Sequence, residues 1–168
     1  NNIISIGISL ESQILSIEKF ILSKKKKKTV IMYPENHYSK FIDDRIKSIK
    51  LKNYTIFKYN PDPKILTGQI EKLTNYSQRK RNLEQRKKML EDKEDQQSIN
   101  ELKKLEQKYT LGKVNFDSVI IIDFGNNLKS VLASLAFTDV DDEKILITTV
   151  NQWFDKSLLN ETDIQPIY

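Results

Sequence analysis

Cysteine is absent from this 168-residue chain, and histidine occurs only once, at His37. Without cysteine the chain has no disulfide, no thiolate nucleophile and no cysteine-based zinc site. Glycine and proline are scarce, at four residues each, which excludes collagen-like and low-complexity classes. The longest apolar run, residues 118–122, is far shorter than the ~20 residues of a membrane-spanning helix. The sequence therefore indicates a globular chain with no transmembrane span.

What the chain does contain is typical of one folded unit. Hydrophobic residues make up 38% and charged residues 30% of it, with a mean hydropathy of -0.54. A length of 168 residues suits a single domain, so we expect residues 1–168 to form one α/β lobe. The sequence begins at Asn1 rather than Met and has no signal-peptide pattern. We therefore expect the lobe to be a fragment of a two-lobed protein.

The formal net charge of +5 is concentrated in two places, the five consecutive lysines at 24–28 and a basic cluster within residues 79–88. No aromatic side chain is interleaved with either cluster, as a base-stacking platform would require. We interpret both clusters as solvated surface and expect no nucleic-acid partner.

Hydrophobic periodicity alternates between strands and helices over most of the chain. Short apolar and β-branched runs predict strands at residues 3–8, 29–33, 54–59, 118–123 and 145–150, with the beginning of another at 166–168. Segments with helical spacing separate them. Strands that alternate with helices favour a doubly wound parallel sheet covered on both faces.

Residues 75–110 interrupt this alternation. The segment has no glycine or proline and carries ten basic and seven acidic side chains, with only a thin apolar stripe. The pattern predicts an inserted helical hairpin that projects from the lobe. A charge-dense projection suits a salt-sensitive contact with a protein, so its basic side chains are candidate partner-binding residues. These are Arg79, Arg81, Arg86 and Lys87.

The loops that follow the strands define a candidate cleft. Ligands of a doubly wound sheet bind beyond the carboxyl ends of its strands, where loops converge. The candidate cleft residues in these loops are Ser9, Glu35, Tyr38, Asp62, Phe124, Asn126, Gln152 and Trp153. Two of them also have purely structural interpretations, Asn126 as a helix cap and Trp153 as a seal over the sheet edge.

The motifs of several enzyme classes are missing. The chain has no G-x-G-x-x-G and no phosphate-binding loop, and its Asp123-Phe124-Gly125 tripeptide stands without the other kinase motifs. The single histidine has no serine or cysteine nucleophile in a suitable context. We therefore expect no catalytic residue, no cofactor and no metal, and an enzyme of the doubly wound class is the least favoured reading.

Three stretches of the chain resemble one lobe of a type 1 periplasmic binding protein, and more narrowly the penicillin-binding protein activator lipoproteins of that fold. The stretches are residues 28–38 (KTVIMYPENHY), residues 73–80 with 109–112 and 116–119 (LTNYSQRK, YTLG, FDSV), and residues 116–128 (FDSVIIIDFGNNL). The resemblance implies a flavodoxin-like strand order and a location in the periplasm, as an outer-membrane lipoprotein whose anchoring cysteine lies outside this segment.

The same resemblance implies a function. Such activators stimulate a bifunctional peptidoglycan synthase by direct contact, so we expect a non-catalytic regulator with a protein partner in the cell envelope. The alternative is a solute-binding protein of an ABC transporter that holds an amino-acid-like ligand in the cleft. The segment after the first resembling strand, residues 36–39, lacks the Tyr-Gly pair usual in solute receptors.

Overall fold

A computed structural model describes residues 7–140 and 145–150, which form an α/β fold with an all-parallel sheet. This confirms the fold class at that level. In chain order the elements are α1 (Leu10–Ser23), β1 (Thr29–Pro34), α2 (Ser39–Ser48), β2 (Tyr54–Tyr59), α3 (Pro63–Leu73), α4 (Tyr76–Glu91), α5 (Gln96–Glu106), β3 (Ser118–Ile121), α6 (Gly125–Phe137) and β4 (Leu146–Thr149).

The four described strands are ordered β2-β1-β3-β4, and every neighbouring pair is parallel. In the register of the central pair, Thr29 lies opposite Ser118 and Met32 opposite Ile121. Parallel sheets are buried on both faces, which explains why β1 after Thr29 and β3 after Ser118 are continuously apolar rather than alternating. The prediction of a strand at residues 29–33 is confirmed.

Helices cover both faces of the sheet, each over its own apolar cluster. The face of α1 and α2 contains Ile14, Ile21, Ile31, Tyr33, Ile42, Ile46, Ile120, Ile122, Leu146 and Val150. The face of α3 and α6 contains Val30, Met32, Leu66, Ile70, Val119, Ile121, Leu128, Val131, Leu135 and Ile147. The connection after β1 therefore crosses one face, and the connection after β3 crosses the other. The two loops diverge there, which makes the carboxyl ends of β1 and β3 the switch point of the sheet.

The helix starts follow local chemistry that the sequence displays. Ser9 caps α1 by accepting a hydrogen bond from the backbone N–H of Ser12. Asp62 caps α3 through Lys64, and Pro63 is its first residue, where the missing N–H costs nothing.

The start of α6 differs from the prediction. Asn126 was a candidate cap, but the helix already begins at Gly125, and Phe124 is the N-cap residue without a side-chain capping bond. Gly125 has a φ of 57°, a left-handed conformation that is open to glycine at little cost. The N-cap of α6 thus lies two residues before Asn126, and the chain turns into the helix on glycine.

Several predictions fall partly or wholly outside the described residues. Of the strand predicted at 3–8, only residues 7 and 8 are described. There Ile8 lies in irregular structure and is 65% exposed. The cleft candidates Gln152 and Trp153, and the strand predicted at 166–168, lie outside the described part.

Residues 75–110 contain two helices, α4 and α5, that pack against each other. The insertion leaves α3 at a sharp break, because Asn75 adopts a left-handed φ of 51° that asparagine tolerates better than most residues. Its apolar seam is a separate small cluster of Leu83, Leu90 and Leu105, flanked by Leu102 and Leu111. We call α4, α5 and the turn between them the hairpin.

None of the helices in residues 7–140 and 145–150 is both long and apolar enough to cross a bilayer.

Candidate functional site

The switch point contains a buried pair of polar side chains. The Tyr59 hydroxyl, at the end of β2, donates a hydrogen bond of 2.5 Å to Oδ2 of Asp123, two residues after β3. The backbone N–H of Phe124 donates to Oδ1 of the same carboxylate at 2.8 Å. Both side chains are almost completely buried. Burial disfavours the ionised carboxylate and raises the pKa of Asp123, although its hydrogen bonds act in the opposite direction.

Four of the predicted cleft residues lie at this switch point, three in the loops after β1 and β3 and one, Asn126, in the first turn of α6. Glu35 and Tyr38 follow β1, while Phe124 and Asn126 follow β3, and all four are exposed. Because β1 and β3 are neighbours, these loops share one edge of the sheet. Tyr38 is 59% and Phe124 63% exposed, so this edge presents aromatic surface to solvent.

The other described cleft candidates serve local folding. The side chains of Ser9 and Asp62 accept hydrogen bonds at the starts of α1 and α3. Their positions follow from helix capping, and no contact in the described residues directs either oxygen toward a ligand. Two of the residues predicted for the cleft, Ser9 and Asp62, are therefore helix caps.

A second, partly buried polar group connects β1, β2 and α2. Asp43 accepts a hydrogen bond of 2.5 Å from the Tyr33 hydroxyl and one of 2.6 Å from the Lys58 ammonium group. The bond from Lys58, then that from Tyr33, lowers the pKa of Asp43, while burial raises the pKa of Tyr33. The bonds from Tyr33 on β1 and Lys58 on β2 to Asp43 on α2 secure α2 against the sheet.

The sequence did not predict either of these two polar groups, because only a weak pattern marks their residues. Asp123 ends the most apolar strand of the chain, which marks it as a carboxylate near a buried site. Its partner Tyr59 is distant in sequence, so only the strand order brings the two together. Within residues 7–140 and 145–150, no group of three or more His, Asp or Glu side chains could hold a metal ion.

Arg79 fixes the base of the hairpin to the lobe. Its guanidinium donates to the backbone oxygens of Thr138 and Asp139 at 3.0 and 2.8 Å, and to the Thr110 hydroxyl at 2.7 Å. Thr138 is the C-cap of α6, so a cation lies at the negative end of that helix. Thr110 in turn donates to the carboxylate of Asp139.

This position corrects the prediction for Arg79. As a candidate partner-binding residue it should be accessible, but only 6% of it is exposed and its donors already have partners within the chain. The side chain is buried because the carbonyl groups at the end of α6 need donors. Arg79 is therefore a positioning residue of the hairpin.

The remaining basic candidates lie on the hairpin surface. Arg81 is exposed and Lys87 is half-buried, and both lie on α4 beside exposed Lys80 and Lys88. Arg86 forms two bonds of 2.8 Å with the Glu101 carboxylate, which links α4 to α5. Arg86 thus contributes to pairing of the two helices, while Arg81, Lys87 and their neighbours present cationic groups outward.

An open cavity of about 950 Å³ lies at the opposite end of the strands from the predicted cleft. It is bounded by the segment between α5 and β3, by Arg79 and by Lys28. The pattern of loops after the strands points only to the carboxyl edge and does not predict this cavity. The cavity arises because the hairpin returns to the sheet beside its amino edge.

Comparison of the chain with protein-family models, with curated proteins and with solved structures finds no match.

Proposed function

We propose that this chain is a non-catalytic regulatory lobe that binds a protein partner through the hairpin. The observation that carries the proposal is the contrast between the buried and exposed sides of α4. Its first turns are fixed to the lobe by buried Arg79, and its outer surface carries exposed cations. Such an element can present charge at a defined position without disturbing the sheet.

The sequence resemblance gives this proposal its biological setting. A lobe of a type 1 periplasmic binding protein with flavodoxin-like strand order agrees with the observed order β2-β1-β3-β4. In this setting the partner is a bifunctional peptidoglycan synthase and the location is the periplasm. The complete protein would be an outer-membrane lipoprotein.

The chemistry of the hairpin surface favours an acidic partner. Arg81 and Lys88 are exposed and form no ion pair with any residue that the structure describes. Unneutralised surface cations accelerate association with a complementary acidic surface, and salt screens the effect. The proposed contact is therefore polar and sensitive to ionic strength.

The direct test measures glycan polymerisation by the purified synthase of the same organism with and without the chain. We expect the chain to stimulate the reaction and the Arg81→Glu/Lys88→Glu variant to lose that stimulation. The matched control is Lys40→Glu/Lys64→Glu, which makes the same charge change at exposed sites on α2 and α3. Equal loss in both variants, or no stimulation by the parent chain, would contradict the proposal.

A second candidate function is solute binding at the switch point. It is favoured by one observation, the exposed side chains of Glu35, Tyr38 and Phe124 on the same edge of the sheet. A carboxylate and aromatic faces suit the ammonium and apolar parts of an amino-acid-like ligand. Thermal denaturation with a panel of amino acids tests this: a rise of several degrees at millimolar ligand that Phe124→Ala abolishes would favour the receptor.

A further inference from the structure

The amino edge of the sheet carries a row of exposed lysines. Residues 24–28 precede β1 and residues 49–53 precede β2, and the Thr29 backbone N–H donates to the Asn53 carbonyl at 3.1 Å to join the two segments. We call the exposed lysines of these segments the basic edge. They are Lys24, Lys25, Lys27, Lys28, Lys50 and Lys52.

Two described carboxylates beside the basic edge accept hydrogen bonds from its backbone. Asp117 accepts hydrogen bonds of 2.8 to 2.9 Å from the backbone N–H groups of Lys27 and Lys28. Glu18 accepts one of 3.0 Å from the backbone N–H of Lys52. These carboxylates therefore shape the lysine-bearing backbone without ion-pairing its ammonium groups. None of the six lysines forms an ion pair with another described residue.

The backbone of the lysine run is held in one conformation. At the end of α1, the Lys25 N–H donates to Leu22 and the Lys26 N–H to Ile21, which is the hydrogen-bond pattern of a helix terminus usually completed by glycine. Lys25 occupies the glycine position with a left-handed φ of 58°. A lysine is strained there, so the run keeps a cation where glycine would be more stable.

The composition of the basic edge decides which anion it fits. All six residues are lysines, whose ammonium groups act as point charges, whereas arginine is the residue for bidentate recognition of individual phosphates. Leu22 lies beside the run and is 53% exposed. Clustered lysines with an adjacent apolar side chain are typical of peripheral attachment to anionic lipid surfaces.

We propose that the basic edge attaches the chain to an anionic membrane surface, with its lysines at the lipid phosphates and Leu22 at the interface. This inference does not depend on the proposed function, because it uses the opposite edge of the lobe from the candidate cleft and none of the exposed cations of the hairpin. Attachment through several lysines is weakened by salt and is reversible.

The test measures co-sedimentation of the chain with vesicles of phosphatidylcholine alone and with about one third phosphatidylglycerol. We expect binding only to the anionic vesicles. Replacing Lys24, Lys25, Lys27 and Lys28 by glutamine should reduce the partition coefficient by more than about tenfold, since each lysine near the surface contributes to attachment. The four-arginine variant at the same positions keeps the charge and should bind like the parent chain.

The matched control removes the same charge from the hairpin, by glutamine at Lys80, Arg81, Lys87 and Lys88. It should retain vesicle binding within about twofold, because those cations lie on α4 and not on the segments that precede β1 and β2. Circular dichroism checks the fold of all variants. Equal loss in the two glutamine variants, equal binding to neutral vesicles, or binding to duplex DNA but not to anionic vesicles would overturn the proposal.

Discussion

The lobe and the hairpin are stabilised by different interactions, apolar burial in the lobe and hydrogen bonds of a buried arginine at the base of the hairpin. The sheet of the lobe is covered on both faces by apolar clusters, and Ile31 and Val119 are completely buried between helices. The hairpin buries only three leucines in its own seam and is joined to the lobe by the hydrogen bonds of Arg79. Apolar burial holds a fold together without specifying an orientation, whereas a buried guanidinium fixes one geometry. The lobe therefore has its own apolar core, and the hairpin has a separate small core and is attached to the lobe through hydrogen bonds.

The largest expected effect is in the lobe core. Leu128 on α6 is fully buried, so Leu128→Ala should lower the free energy of unfolding by about 3 kcal/mol through lost burial and the cavity left behind. The matched change in the hairpin is Leu90→Ala. Because its cluster is small, we expect local opening there with less effect on global unfolding. Urea denaturation followed by circular dichroism measures both, and a greater loss for Leu90→Ala would reverse the comparison.

The next largest effect concerns the junction. Arg79→Met should destabilise the protein by about 2 kcal/mol, since the carbonyls of Thr138 and Asp139 lose their donor. Hydrogen exchange should show the extra opening concentrated in α4 and α5.

Arg79→Lys retains the charge but not the planar fork, so its loss of stability should be intermediate. A neutral result for Arg79→Met would mean that the junction does not depend on these hydrogen bonds.

These two regions also differ in how far the sequence predicts them. Apolar runs located β1, β2 and β3, and Ser9 marked the start of α1, because these features depend on neighbours within a few residues. The burial of Arg79 was not predictable. A basic residue within a charged run has the pattern of a surface residue, and its acceptors lie about sixty positions further along the chain.

The candidate site was likewise predictable only where it depends on residues close in sequence. The loops after β1 and β3 could be placed at one edge from the alternation of elements alone. The bond between Tyr59 and Asp123 could not, since it requires the strand order and the length of each strand. The prediction of Asn126 as the cap of α6 is wrong, because the left-handed Gly125 begins the helix before the asparagine.

A smaller effect tests the strained terminus of α1. Lys25→Gly should raise the free energy of unfolding by about 1 kcal/mol, because glycine adopts a left-handed φ without strain. Lys24→Gly is the control, since Lys24 has a φ of -83° that requires no glycine. Thermal denaturation should show opposite signs for the two variants, and a loss of stability in Lys25→Gly would contradict the assigned strain.

The smallest effect is a pH dependence within the lobe. Burial raises the pKa of Asp123, so its protonated form stabilises the fold at low pH and this contribution is lost as pH rises above 3.8 through the raised value. Asp123→Asn removes that loss, and its stability relative to the parent should rise with pH across this window. Denaturant unfolding at a series of pH values measures the difference.

Asp43→Asn provides a control of opposite sign. Hydrogen bonds from Lys58 and Tyr33 lower the pKa of Asp43, so its contribution is present above pH 3.8 and is lost as pH falls through the lowered value. The stability of Asp43→Asn relative to the parent should therefore fall as pH rises from the lowered pKa of Asp43 to 3.8. Parallel slopes for the two variants would show that one of the two environments is misassigned.

Removing the hairpin tests most directly whether it is a docking element independent of the core. The Leu111 backbone N–H donates to the Arg79 carbonyl at 3.0 Å, so the two sides of the base are adjacent and a short glycine-serine linker can replace residues 81–108 while keeping Arg79 and Thr110. We predict that the shortened chain unfolds cooperatively at nearly the parent temperature and no longer stimulates the synthase. Loss of the folded state, or full stimulation without the hairpin, would contradict the account.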